Sequence, residues 1–387
     1  MENFDYHIPT DIYFGKGQIV KLGGRIVSVA DRVLFVYGGG SIKKTGLYGE
    51  IMRQLERAGV TVFELAGVEP NPRIQTVRKG VELCKREGIG AVLAAGGGST
   101  IDCAKIVAAG ACYGGDAWDL VLDGGKIKKA LPIVAVLTLA ATGSEMDGSA
   151  VISDMEKHEK WGTGSEVTKP VFSILDPRYT FSVSAYQTAA GASDIMSHTF
   201  ESYFNNTEGA FLQARLAEGI LKTVVKYAPA AVAHPNDYEA RANLMWASSL
   251  AINGLIGYGE NAAWSVHPME HELSAFYDIT HGAGLALLTP YWMEYVLSEK
   301  TAGKFAEYGA NVWGIDPAGD PMSAAKEAIA RTRGFFTSIG MPARLKDIGI
   351  DGTHFDVMSE KAAACGLEYG FVPLTKEDVK KIFTMAL

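Results

Sequence analysis

Ala91-Val92-Leu93-Ala94-Ala95-Gly96-Gly97-Gly98-Ser99-Thr100-Ile101-Asp102 sets an apolar run, three glycines and a helix start side by side. The run Ala91 to Ala95 has the length of a buried strand, and a helix is expected from near Thr100. Glycines at such a turn let the backbone come close to a pyrophosphate, while the exposed amides and positive end of the following helix favour an anion. Ser99 can add a hydroxyl or cap that helix. The turn Gly38-Gly39-Gly40-Ser41 repeats the pattern at the end of an earlier strand. A single loop of this kind serves equally well as a plain tight turn, but two in one sheet point to a dinucleotide. Neither has the G-x-G-x-x-G spacing, so a standard Rossmann site is not what these loops spell.

Working outward, short apolar runs at Val33 to Tyr37, Val60 to Leu65 and Ile133 to Leu137 are further strand candidates. Between them Ile74, Val77, Val81 and Cys84 recur at helical spacing over Ile74 to Glu87. Gly59 and Gly88 stand where helix C-caps belong. This alternation, from Arg32 to about Asp176, predicts βαβ units around a parallel sheet. After Asp176-Pro177 the rhythm changes to long stretches rich in alanine, leucine and methionine. Helices are expected over Ala210 to Tyr227 and Tyr238 to Asn253, with Pro235-Asn236-Asp237 between them. A chain of 387 residues also exceeds what one core usually organises. The prediction is an α/β dinucleotide-binding domain over residues 1–178 and an all-α domain over residues 179–387.

The composition, 48% hydrophobic and 21% charged, is that of a folded globular protein. A net charge of -8 supplies no basic stripe for nucleic acid or anionic lipid, so neither partner is expected. Met1-Glu2-Asn3-Phe4-Asp5 lacks the basic start and apolar run of a secretory signal, and no apolar stretch has bilayer length; a cytoplasmic protein is expected. Cys84, Cys103, Cys112 and Cys365 are scattered without Cys-x-x-Cys spacing, which predicts four buried apolar side chains rather than disulfides or a zinc ribbon.

Histidines mark the second half. Asp194 and His198 are four apart, so on a helix they share one face with Cβ atoms ~6 Å apart. His267 and His271 repeat that spacing, and His281 follows in Thr280-His281-Gly282-Ala283-Gly284. A lone helical histidine is usually a surface or hydrogen-bonded group. Five candidate ligands in an otherwise apolar half are another matter, because unpaired buried charge is costly. Three imidazoles and a carboxylate suit a divalent ion with room for a substrate oxygen. Spacing alone does not say which histidine is not a ligand, nor whether the metal is Fe2+, Zn2+, Mn2+ or Ni2+. For the coenzyme, the first strand ends in Gly38 to Ser41 followed by Lys43 and Lys44, with no carboxylate to meet a ribose hydroxyl. That pattern favours NADP(H) over NAD(H).

Taken together, these motifs resemble the iron-containing alcohol dehydrogenases, and within them the bacterial butanol dehydrogenases and NADPH-dependent aldehyde reductases. The resemblance runs through Tyr37 to Lys43, Glu69-Pro70-Asn71-Pro72, Gly96 to Asp102, Leu137 to Glu145, Ile174 to Pro177, Asp194 to His198, Trp264 to Glu272 and His281-Gly282. It implies a dehydroquinate synthase-like architecture, with an N-terminal dinucleotide-binding α/β domain, a helical C-terminal domain and an active site in the cleft between them. By the same resemblance the metal ligands are Asp194, His198, His267 and His281. His271 is then left to relay a proton. The cofactor contacts implied are Gly39, Gly40, Ser41, Asn71, Gly97, Gly98, Ser99, Asp102, Thr138, Leu139, Thr142 and Lys160. Two departures stand out: Ser184, where relatives usually carry proline before the metal-binding helix, and Asp147, where reductase relatives often carry asparagine.

The activity implied is metal-assisted hydride transfer between NAD(P)H and small aldehydes such as butanal, giving primary alcohols, in a homodimer. His271 would supply the proton, since an imidazole titrates near neutral pH. Two other readings share the motifs: a polyol- or lactaldehyde-type dehydrogenase of the same superfamily, and a non-catalytic homologue that binds nucleotide and metal without turnover.

Overall fold

A parallel strand covered on both faces must be apolar at nearly every position, and the central strands here are. The computed structural model describes residues 1–261, 263–316 and 318–387. Its strands are β1 (Asp11–Phe14), β2 (Arg32–Tyr37), β3 (Thr61–Ala66), β4 (Ala91–Gly96), β5 (Ile133–Leu137), β6 (Ser149–Asp154), β7 (Glu159–Gly164) and β8 (Phe172–Leu175). All but β6 and β7 form one parallel sheet in the order β1-β8-β5-β4-β2-β3, and β6 and β7 make a separate antiparallel hairpin. The four strands expected from sequence are β2 to β5. The short edge strand β1, the hairpin and β8 lack a distinctive run and go beyond that expectation.

Alternate residues divide between two cores. Leu34, Val36, Val92, Ala94, Ala135 and Leu137 face α4 (Ile74–Glu87) and α5 (Gly98–Ala111), whereas Val33, Phe35, Leu93, Val134 and Val136 pack on Leu22, Ile26, Ile51 and Leu55. These last come from α1 (Lys21–Ile26) and α3 (Leu47–Arg57), with the one-turn α2 (Ser41–Lys44) between them. Every residue of α5 from Thr100 to Gly110 is buried, since β4, β6, α4 and α6 (Ala117–Leu122) surround it. A helix enclosed on all sides needs no polar face, which is why it shows little amphipathic rhythm.

The remaining helices are α7 (Ala185–Tyr203), α8 (Phe211–Ala233), α9 (Tyr238–Ile252), α10 (Val266–Tyr277), α11 (His281–Val296), α12 (Ala302–Trp313), α13 (Pro321–Ser338), α14 (Phe355–Ala363) and α15 (Lys376–Ala386). The chain does not divide at one cut. One compact unit holds residues 7–183 and 235–249; the other holds residues 1–6, 184–234 and 250–387. The exchanges have local causes. Met245 of α9 is fully buried in the sheet-side core and Trp246 meets the Phe14 ring edge-on, which ties the start of α9 to the α/β unit. The first residues belong to the helical unit because Glu2 N–H donates to Gly259 O and the Phe4 and Tyr6 rings lie on Tyr258.

Cys84 and Cys103 are buried as expected, but Cys112 and Cys365 are only half-buried. Both lie just past helix ends, at the C-cap of α5 and after α14, where the chain is leaving the core. No helix among the described residues is long and apolar enough to cross a membrane.

Candidate active site

In the α/β unit the second glycine turn sits at the junction of β4 and α5, with Gly97 as N-cap and Gly98 and Ser99 in the first turn. The glycines are also demanded by packing. A Cβ on Gly98 would lie 2.3 Å from Thr142 Oγ1 and one on Gly97 3.1 Å from Leu139 Cβ. The helix start is therefore pressed against the loop that follows β5 and carries Thr138, Leu139 and Thr142. Gly40, at φ 100°, begins α2 after Gly39, with Ser41 as the first helical residue. Asn71 adopts a positive φ of 50° in the turn before α4, and Lys160 is buried on β7.

Asp102 is engaged inside the protein. Its carboxylate accepts from Ser144 Oγ at 2.6 Å and Val151 N at 2.9 Å, and burial pushes its pKa up to about 6 against the pull of Lys105. Lys105, fully buried, donates to Asp147 Oδ1 at 2.8 Å and to Ser149 O at 2.7 Å. Asp147 thus forms a buried ion pair that pins the loop into β6, a role an asparagine could fill only without the charge. Glu145 lies close by in the fold, its Oε1 accepting from Ser249 Oγ. Lys43 stands over the rings of Tyr37 and Tyr48 at 5.0 and 4.7 Å, and both hydroxyls donate to Glu64.

In the helical unit, Ser184 stands as N-cap of α7, its Oγ accepting from Gln187 N at 3.2 Å, so the turn that lacks proline is held by a cap instead. On α7 the residues Asp194 and His198 share a buried face. Facing them are His267 on α10 and His281, the first residue of α11. Asp194 Oδ1 is the point of convergence: His198 Nδ1 lies 3.6 Å from it, His281 Nε2 3.7 Å and His267 Nε2 3.9 Å. One ligand atom each from Asp194, His267 and His281 lie within 4.8 Å of one another. His198 stands just outside that trio and stacks on His267 with ring centroids 4.6 Å apart.

These separations are too long for hydrogen bonds yet suit a shared ion, since ligands ~2.1 Å from a tetrahedral centre lie roughly 3.4 Å apart. Two of the nitrogens, His198 Nδ1 and His267 Nε2, are buried and have no hydrogen-bond partner among the described residues. Burial, and then His267, His281 and His271, hold His198 well below the usual imidazole range, so it stays neutral with one ring-nitrogen lone pair available. The donor set of imidazoles and one carboxylate fits a divalent metal. His271 lies one turn along α10 from His267, half-buried, its ring 6.3 Å from that of His267 and 5.6 Å from that of His281.

Two carboxylates escaped the sequence reading. Glu201, one turn beyond His198 on α7, accepts from His267 Nδ1 at 3.0 Å and from the backbone N–H groups of Ser265, Val266 and His267. Glu270, one turn along α10 from His267, meets His281 Nδ1 and accepts from Ser274 Oγ. Spacing held the clue, because residues 194, 198 and 201, and 267, 270, 271 and 274, each describe one face of a helix.

A parallel nucleotide-type sheet with glycine turns, and a helical unit with a histidine–carboxylate cluster, define a metal- and nicotinamide-dependent oxidoreductase. Comparison with known proteins is more specific. The model for iron-containing alcohol dehydrogenase matches residues 9–177, and that for the C-terminal part of the Fe-containing alcohol dehydrogenase family matches residues 188–387. The chain is 55% identical over 385 residues to NADH-dependent butanol dehydrogenase A of Clostridium acetobutylicum, with 99% of each chain covered. It is 41% identical over 370 residues to NADPH-dependent aldehyde reductase YqhD of Escherichia coli, covering 95% of this chain and 94% of that one. The crystal structure of NADH-dependent butanol dehydrogenase A from Thermotoga maritima superposes with a TM-score of 0.94 at 40% identity, covering 100% of this chain and 99% of that one. The chain belongs to the iron-containing alcohol dehydrogenase family. Its cofactors are a metal ion and a nicotinamide dinucleotide.

Proposed function

We propose that this enzyme reduces short-chain aldehydes such as butanal to primary alcohols, and catalyses the reverse oxidation, with Asp194, His198, His267 and His281 as metal ligands and His271 as proton donor. The observation that carries the reading is the convergence of three imidazole nitrogens on Asp194 Oδ1. When bound, the divalent ion supplies Lewis acidity toward a carbonyl oxygen and the nicotinamide supplies the hydride. The four ligand side chains hold and orient the ion. His271 is within reach of the same cluster and only half-buried, so it can deliver a proton to the product oxygen directly or through water. In the α/β unit, Gly97, Gly98 and Ser99 offer backbone amides to the pyrophosphate, and Gly39, Gly40 and Ser41 line the ribose side.

Butanal is proposed from the named activity of the relatives. For the coenzyme we propose that both forms are used. The lack of a carboxylate between Gly38 and Ser41 admits a 2′-phosphate. Lys43, however, already lies over the Tyr37 and Tyr48 rings, whose hydroxyls bind Glu64, so it gives no strong reason to reject NADH. The test is metal analysis of freshly purified protein together with butanal-dependent oxidation of NADPH and NADH. One bound ion per chain, its loss in Asp194→Ala, and turnover with both coenzymes are expected. Stoichiometric metal in Asp194→Ala, or no turnover of any short aldehyde, would overturn the proposal.

A further inference from the structure

We propose that Glu201 and Glu270 are positioning residues of the metal centre, each binding the Nδ1 of one histidine and thereby making its Nε2 the ligand atom. The inference rests on the ligand assignment above. A neutral imidazole carries one N–H, and a carboxylate at Nδ1 draws that proton to Nδ1 and leaves the lone pair on Nε2. Glu201 meets His267 Nδ1 at 3.0 Å and Glu270 meets His281 Nδ1. On the far side of both rings, Nε2 faces Asp194 Oδ1. The two histidines are thus oriented alike, although one belongs to α10 and the other to α11. Among the described residues His198 shows no such carboxylate: its Nδ1 is the nitrogen turned toward Asp194.

The surroundings of each carboxylate fit the role. Glu201 and Glu270 are 4% and 0% exposed, so each must be satisfied by neighbours. Glu201 also takes the place of a side-chain N-cap for α10, because Ser265 makes no cap hydrogen bond there while three N–H groups point at the carboxylate. The start of α10 and the His267 ring are therefore fixed by one group. Glu270 is fixed by Ser274 Oγ and by space. A Cβ on Gly284 would lie 2.8 Å from Glu270 Cγ and 3.0 Å from its Oε1. This accounts for the second glycine of His281-Gly282-Ala283-Gly284, which leaves room for the carboxylate that holds His281.

A purely structural role would move stability alone, whereas a positioning role moves affinity for the ion in a protein that still folds. The full chain is stripped of metal and titrated with Zn2+ against a chromophoric chelator. Co2+ is then loaded to read the ligand-field spectrum, and circular dichroism and thermal unfolding of the metal-free forms monitor the fold. Glu270→Gln and Glu201→Gln are expected to weaken Zn2+ binding roughly 10–100-fold and to alter the Co2+ spectrum. Gly284→Ala, which changes neither a ligand nor a carboxylate, should weaken it in the same direction by displacing Glu270. Asp194→Ala is the control for the ligand assignment. If it loses the ion while the Gln variants and Gly284→Ala bind as wild type, the positioning role is refuted and the ligand set stands. If Asp194→Ala itself binds as wild type, the ligand set has failed. Should metal-free Glu201→Gln be unfolded for want of its cap, Glu270→Gln and Gly284→Ala decide.

Discussion

Replacing Glu145 with glutamine should change how stability depends on pH. The side chain is completely buried; Oε1 accepts from Ser249 Oγ, and Oε2 has no hydrogen-bond partner among the described residues. Burial raises its pKa from 4.5 to about 7, opposed by the Ser249 hydrogen bond. Since the folded value lies above the unfolded one, folding takes up a proton between these limits. The contribution is therefore fully present below pH 4.5 and is lost as pH rises through about 7. At 1.36 kcal/mol per unit, Glu145 costs the folded state roughly 2 to 3 kcal/mol more at pH 8.5 than at pH 5. The substituted glutamine cannot ionise. It places an amide where Oε2 stood, at a cost of about 1–3 kcal/mol if unpaired, but that cost is the same at every pH. The assay is urea unfolding of Glu145→Gln and wild type at pH 5 and 8.5, reading the difference of differences. The variant should gain roughly 2 kcal/mol relative to wild type on going to pH 8.5. Parallel stability profiles would refute the reasoning, as would a variant that gains at low pH.

Other substitutions probe the site more directly. His271→Gln should retain the bound metal but lower kcat at least about 100-fold, as loss of a general acid does; kcat beside metal content checks this. Gly98→Ala sets a Cβ 2.3 Å from Thr142 Oγ1. It should cost about 1–3 kcal/mol of stability and raise KM for the coenzyme, measurable by thermal unfolding and initial rates. Gly282→Ala, whose Cβ would lie 2.0 Å from Ala190 O, should push α11 off α7. A lowered Tm with lost metal is expected, and a variant with wild-type metal content would contradict it.

Local chemistry was legible where it repeats at short range. The apolar runs of β2 to β5, the glycine turns and the capping glycines declare themselves within a few residues, because strand burial and backbone conformation act locally. The spacing of Asp194 and His198, and of His267 and His271, likewise announced a shared helix face. Legibility ended where a side chain's partner lies far along the chain. Glu201 reads as an ordinary helical glutamate until α10 brings three N–H groups and an imidazole to it, and Glu270 until α11 brings His281. Lys105 and Asp147, 42 residues apart, become an ion pair only once α5 is enclosed.

The amino-acid order by itself determined the α/β and helical halves, the phosphate-type turns and the inventory of ligating side chains, since period, glycine placement and residue chemistry are properties of the chain. Only the tertiary structure decided which nitrogen of each histidine faces Asp194, that Asp102 is occupied within the protein, and that α9 is shared between the two units. Those outcomes depend on which groups the packed helices leave in contact, and burial makes each contact count because no water is at hand to replace it.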